Sequence, residues 1–280
     1  MAQEKWLLDG PKVLDLGPIR QLKVALVRGQ IDIVGHDEST TRVEVHSVSG
    51  KELRITLDGD SLEIDHPQLR WDNFIDVFRS FSGSAKADVS ILVPREVALK
   101  FGVVSSTGLI SGLHADATIS TVSGDLVIDD LQGDITLNSV SGELAVRNHT
   151  GRINAHTVSG DVTASGEVSR FRADGVSSEI FLDLAGSPDE IRVNTVSGNI
   201  TARLDGNRAA EYRISTVGGR IQLDDSEITG VRGSYTGKYG TLEGSWLDFR
   251  ANTVGGTIAV LHTGTGKPAR SSWRARAPKA

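Results

Sequence analysis

The chain has 280 residues, a net charge of −6, 31 glycines, no cysteine, and few aromatics: seven Phe, four Trp and three Tyr. The missing cysteine excludes disulfides and thiolate metal sites, and no run of about 18 apolar residues is present to span a membrane as a helix. Abundant glycine with few aromatics suits a thin aliphatic core turned by tight corners.

Residues 1–19 are expected to form an N-terminal lead or cap. Their apolar run is too short for a signal peptide, which predicts a cytoplasmic protein, with the cell surface by another route as the alternative. The array begins near residue 20. Arg28–Ile33 resembles a first half-unit, Val48-Ser49-Gly50 a first corner, and Val43–Val45, Leu53–Leu57 and Leu62–Ile64 alternate as strands do. An insertion follows at 71–81, where Trp71, Phe74, Val77, Phe78 and Phe81 cluster at mostly helical spacing. Trp71, Phe74, Phe78 and Phe81 are candidate interaction residues for a partner or a membrane interface. Covering the flank of their own sheet is the alternative. Leu92-Val93-Pro94 leads into the regular block.

That block, 104–182, keeps a strict period. Val104, Val122, Val140, Val158 and Val176 stand 18 apart, and Gly124, Gly133, Gly142, Gly151 and Gly160 stand nine apart. A fixed short period marks stacked coils that bury their apolar sides against one another. Counted from each valine slot, apolar residues recur at offsets 0, 4 and 6 of every nine. Between Val104 and Leu182 only Gly108, His149 and Glu167 break the pattern. Offsets 4 and 6 are the same-face pair of a short strand, and glycine every nine residues with abundant Val, Ile and Thr opposes helix. A hexapeptide helix, which needs an inward aliphatic every six residues, fails at Asp134 and Arg152. The prediction is one elongated all-β parallel solenoid (a β-helix) across 20–263, with about 18 residues per coil, two similar nine-residue halves, and an advance of about 4.8 Å per coil.

After Leu182 the period loosens, but Ile191-Val193, Ile200-Ala202, Ile221-Leu223 and Ile258-Val260 keep the strand pairs. Residues 225–249, rich in Gly and Tyr, read as a looped insertion. The end, 264–280, is expected to be a disordered basic tail. Lys267, Arg270, Arg274, Arg276 and Lys279 face no acid there, so the remainder of the chain carries about −11. The tail could touch an anionic surface; a solubilising end is the plainer reading.

Each candidate site has a structural counterpart. Calcium rolls need G-G-x-G-x-D in each turn, whereas here the equivalent of Asp125 becomes Arg152 and Arg170; solvated corners explain the acids. Thr121, Thr157 and Thr195 would stack as a hydroxyl ladder, explicable by turn formation. His149 occupies an inward slot, and Glu167, 18 residues on, the stacked equivalent. They read as an inward polar pair, unless Val168 turns inward and leaves Glu167 outside. The doublets Asp129-Asp130 and Asp224-Asp225 read as corner residues. No catalytic, cofactor or metal residue is assigned, since no metalloprotease helix, P-loop or nucleophile elbow occurs.

Gly29-Gln30-Ile31-Asp32-Ile33, Leu92-Val93-Pro94 and the Thr-Val-Ser-Gly runs from Thr121, Thr157 and Thr195 together resemble the DUF4097 family of bacterial β-strand-repeat proteins, labelled candidate adhesins. The resemblance spans roughly 20–263 and implies a β-solenoid with no catalytic residues to carry over. The expectation is a non-enzymatic scaffold or adhesin-like surface for an unknown protein or glycan. The alternatives are a bactofilin-like protein self-associating through its solenoid ends, and a carbohydrate-active enzyme.

Overall fold

The computed structural model of the chain describes residues 3–67, 85–228, 233–242 and 244–264. Among them are 22 β-strands and no helix, the expected all-β class. The chain divides into two compact units, Met1–Ala145 and Val146–Ala280.

In the first unit the outermost elements in sequence are β1 (Glu4–Leu8) and β2 (Lys12–Leu16). The long strands β3 (Gln21–His36) and, later, β8 (Ala98–Ser111) lie parallel, Gln21 opposite Ala98 and Val34 opposite Ser111. Between them in sequence come β4 (Thr41–Ser49), β5 (Leu53–Asp58), β6 (Ser61–Asp65) and β7 (Lys86–Pro94). The first half of β3 pairs with β6 and its second half with β7, both parallel. On the other side of β8 lie β9 (Ala117–Ser123) and β10 (Leu126–Asp129), and β11 (Ile135–Ser139) follows β9. Leu99 faces Ala117, Gly108 faces Leu126, and Ala117 faces Ile135. The 18-residue beat is thus the length of chain that returns a strand beside its predecessor.

The second unit is entered by β12 (Leu144–Thr157). It contains β13 (Val162–Gly175), β14 (Ile180–Leu184), β15 (Glu190–Asn194), β16 (Ile200–Asp205), β17 (Ala210–Thr216) and β18 (Ile221–Leu223). Then come β19 (Ser226–Ile228), β20 (Gly233–Tyr239), β21 (Leu247–Thr253) and β22 (Ile258–Thr263). One row runs β13, β15, β21, β17 in parallel and ends on antiparallel β20. The other runs β13, β14, β16, β22, β18 and ends on antiparallel β19.

Spatial order therefore departs from chain order in both units. The coil of β21 and β22, last in sequence, lies between β15/β16 and β17/β18. Likewise β3 lies between β6/β7 and β8. The period loosens after Leu182 in two ways: β15 and β16 pair with β13 and β14 at a spacing of 20 rather than 18, and beyond them neighbours in the stack are no longer neighbours in the chain. The 225–249 insertion contains β19 and β20, which fold back antiparallel on β18 and β17, and runs into the start of β21.

The corners correct one expectation. Offset 0 was expected to be inward throughout, yet Val140, Val158, Val176, Val196, Val217 and Val254 are 42–77% exposed, while Val104 and Val122 are buried. Before every exposed valine except Val176, which follows Gly175, the preceding residue turns in instead: Ser139, Thr157, Thr195, Thr216 and Thr253 are buried. The threonine hydroxyl then caps the turn. Oγ1 of Thr157 accepts the Gly160 N–H at 2.9 Å, and Thr216 and Thr253 do the same for Gly219 and Gly256 at 3.0 and 3.2 Å. A Cβ at Gly198 would lie 2.0 Å from the Ser178 carbonyl oxygen, and one at Gly256 would lie 1.8 Å from that of Gly198. The motif's glycine is thus imposed by coil-on-coil approach. At the other corner the offset-0 residues Leu113, Leu131 and His149 are buried, so the two nine-residue halves are not alike.

Inside, offsets 4 and 6 stack as expected. In the second unit Phe171, Ile191, Phe249 and Tyr212 form one buried column, with the Tyr212 and Phe249 rings 5.4 Å apart. Each such side chain contributes about 1.5–3 kcal/mol through burial.

Candidate interaction face

Because side chains alternate along a strand, the residues between the buried ones on β13, β15, β21 and β17 point outward in register. They form three parallel columns. The middle one is Arg172, Arg192, Arg250 and Arg213 on successive strands. On one side run Arg170, Glu190, Asp248 and Glu211; on the other, Asp174, Asn194, Asn252 and Ser215.

The charges are shared unequally. Glu190 is approached by three guanidinium groups: Arg172 at 2.8 Å, Arg170 at 3.2 Å and Arg192 at 3.5 Å. Asp248 binds Arg250 through two hydrogen bonds, 3.1 Å from Nε and 2.6 Å from Nη2, and Arg213 at 3.1 Å. Arg213 also reaches Glu211 at 2.7 Å. The Asp248 carboxylate raises the pKa of Arg250, first through its hydrogen bond. In the third column the Asn252 amide donates to Asn194 and the Asn194 amide to Asp174, each at 2.8 Å.

Of the residues singled out from sequence, Trp71, Phe74, Phe78 and Phe81 lie outside the described residues, as does the basic tail beyond Gly264. His149 is buried, but Glu167 is exposed and Val168 takes the inward place. The inward His149–Glu167 pair is therefore replaced by the alternative arrangement. Gly166 at φ +128° precedes the change of face; a Cβ there would come within 2.3 Å of the His149 carbonyl oxygen. The threonines of the proposed hydroxyl ladder point into the corners. The corner acids brace the following coil: Asp116, Asp125 and Asp161 accept the backbone N–H groups of Asp134, Glu143 and Glu179 at 2.8, 2.9 and 2.8 Å. Asp130 and Asp224 adopt left-handed φ values of 49° and 50°, as corner residues do.

Sequence reasoning missed two groups. The arginine column was visible only as Arg172 at a polar offset, since nothing in chain order places Arg250 beside Arg192. The second group is Asp224, His262 and Tyr212, separated by up to 50 residues and joined by the intercalated coil. His262 Nδ1 lies 3.0 Å from Asp224 Oδ2, and its Nε2 lies 2.6 Å from the Tyr212 hydroxyl. A carboxylate only accepts, so Nδ1 carries the proton and Nε2 accepts from the tyrosine. Tyr239 stacks on the imidazole at 3.6 Å and donates to the Gly206 carbonyl at 3.2 Å. Burial, then the Asp224 charge, pushes the Tyr212 pKa well up. The Tyr212 side chain is fully buried, and the cluster ties β22 to β17 and to the residue that follows β18.

In the first unit an open depression of about 430 Å³ is lined by Arg28, Gln30, Lys86, Asp88, Ser105 and Thr107, among others. Asp88 is engaged there by Ser47 at 2.7 Å, by the Gln30 N–H at 3.0 Å and by Lys86 at 3.1 Å.

Several solved structures are similar to this chain. A candidate cell adhesion protein from Clostridium sporogenes shares 12% identity over 90% of this chain and 100% of its own, with a TM-score of 0.28. A candidate lipid-binding protein from Parabacteroides distasonis shares 13% over 91% and 97%, at 0.44. A candidate adhesin from Bacteroides fragilis shares 12% over 90% and 97%, at 0.41. No curated protein matches the chain. The model of one family, Toastrack DUF4097, matches residues 19–261, and the chain belongs to that family.

Proposed function

We propose that the chain is a non-enzymatic binding scaffold, one elongated β-solenoid whose sheets offer fixed columns of side chains to a protein or glycan partner. The observation that carries this reading is the register of the outward residues: four arginines, and beside them two asparagines, stand on adjacent parallel strands. Such spacing comes from the backbone ladder, so a repeating or extended partner meets it with little reordering. The full burial of Tyr212 in the Asp224–His262–Tyr212 chain supports a non-enzymatic role.

Glycan and protein arrays probed with the intact chain test the reading. At least one ligand class is expected to be retained, and to be lost by a variant carrying Arg192→Glu and Arg250→Glu. Silence across the arrays, binding indifferent to those changes, or cleavage of an arrayed polysaccharide would overturn it.

A further inference from the structure

Four arginines directly opposite one another are a cost to the sheet. Like charges on facing positions destabilise a sheet. The core does not need them, since they point outward and are each more than a third exposed. The neighbouring acids offset the repulsion only in part. Three guanidinium groups share the single carboxylate of Glu190. Arg192 approaches it no closer than 3.5 Å, and its Nε makes no hydrogen bond. The face thus holds excess positive charge at the β13–β15 end of a chain whose net charge is −6.

Resting on the binding-scaffold reading above, we propose that this face binds a linear acidic polysaccharide laid across the strands. Its carboxylates sit on the Arg172–Arg192–Arg250–Arg213 column, and its hydroxyls lie over the two flanking columns. The column spans three strand spacings, about 14 Å, with a guanidinium at every step of about 4.8 Å. The two-bond fork between Arg250 and Asp248 shows the mode in which these guanidinium groups take a carboxylate. Asn194 and Asn252 each retain a second amide hydrogen beyond the one spent along the column, and so can donate to a hydroxyl. Glu190, Asp248 and Glu211 can accept from hydroxyls on the other side.

The same acids disfavour nucleic acid. They would face a phosphodiester charge at every nucleotide, and the outward positions of these strands carry no aromatic row on which bases could stack. A sugar polymer with one carboxylate per unit leaves neutral hydroxyls for the acidic column. The outward positions of these four strands are also free of large apolar side chains, which an inserting membrane face would use.

Calorimetric titration of the full chain with polygalacturonate, at about 50 mM and about 500 mM salt, tests the proposal. Neutral dextran, duplex DNA and phosphatidylglycerol vesicles are run alongside. Saturable binding to polygalacturonate is expected, weakened about tenfold or more by Arg172→Ala with Arg192→Ala, and by the higher salt. Arg172→Lys with Arg192→Lys keeps the charge but loses the fork, and is expected to bind several-fold more weakly than the parent. It decides the matter if the alanine variant fails to fold. Arg42→Ala in the first unit should leave binding unchanged. The proposal is overturned if polygalacturonate gives no binding, if neither arginine variant weakens it, or if DNA or vesicles bind as tightly with the same arginine dependence. Face-dependent retention of a protein or neutral glycan on the arrays, with polygalacturonate silent, would leave the scaffold reading standing and defeat this one.

Discussion

His66 is fully buried, and its Nδ1 accepts the Val27 N–H at 3.2 Å. Burial lowers its pKa from 6.5 to about 4. The unfolded chain therefore takes up a proton near pH 6.5 that the folded chain refuses until about pH 4. The stability linked to His66 is complete above pH 6.5, declines as pH falls between those values, and changes no further below about 4. The loss over that window is about 3 kcal/mol. His66→Gln keeps an acceptor for Val27 and removes the titration. Urea unfolding at pH 7.5 and 4.5 should show a smaller loss for the variant, and equal losses would refute the assignment. Glycine supplies a second test at this scale. Gly198, at φ +131°, faces the Ser178 carbonyl, whereas Gly59, at φ +62°, has open space around it. Alanine at 198 is expected to cost about 3 kcal/mol or more, through backbone strain plus overlap. Alanine at 59 should cost only about 1 kcal/mol. Comparable melting losses for the two would mean that coil approach does not impose the motif's glycine.

The Thr-Val-Ser-Gly corner is an element whose residues were legible and whose orientation was not. Periodicity identifies the valine as a recurring apolar position, but a one-residue turn of the chain decides which neighbour faces inward. In the second unit the row Val158, Val176, Val196, Val254 and Val217 follows the hydrogen bonds from corner to corner: Val158 O accepts Ser177 N, Val176 O accepts Val196 N, Val196 O accepts Val254 N, and Val254 O accepts Gly218 N. All five are exposed. In the first unit Val104 and Val122 are covered by Ala25, Val27 and Ala85. The same motif therefore has two energetic roles. Serine at 158, 176, 196 and 254 together should cost no more than about 2 kcal/mol, at about 0.5 kcal/mol per exposed site. Serine at 104 and 122 should cost about 3 kcal/mol or more, from lost burial and a hydroxyl placed among apolar groups. Chemical denaturation of the two variants checks this contrast, and an equal or reversed order would contradict the observed corner geometry.

For the whole molecule, the repeat made the all-β class, the parallel stacking and the offsets 4 and 6 legible, because all three depend on spacing within a coil. What it hid depends on which coil sits beside which. The insertion of β21 and β22 between earlier coils, the arginine column and the Asp224–His262–Tyr212 tie all come from that rearrangement. It also bears on self-association. A stack of parallel coils could in principle continue into another molecule, since an open row of N–H and C=O groups is a template for pairing. Here, however, the sheets of the first unit pass through antiparallel β5 and β4 to antiparallel β1 and β2. Those of the second unit end on antiparallel β19 and β20. Two antiparallel steps return β1 and β2 to the coil direction, whereas β19 and β20, one step out, run against it; Lys5, Lys12 and Lys238 add charge along these edges. Continuing the parallel stack head to tail would meet reversed strands at the β19/β20 edge and bring lysines into the new pairing. Sedimentation velocity over a wide concentration range should therefore give a single species of one-chain mass. A mass that grows with concentration, or filaments in negative stain, would show that these edges pair after all.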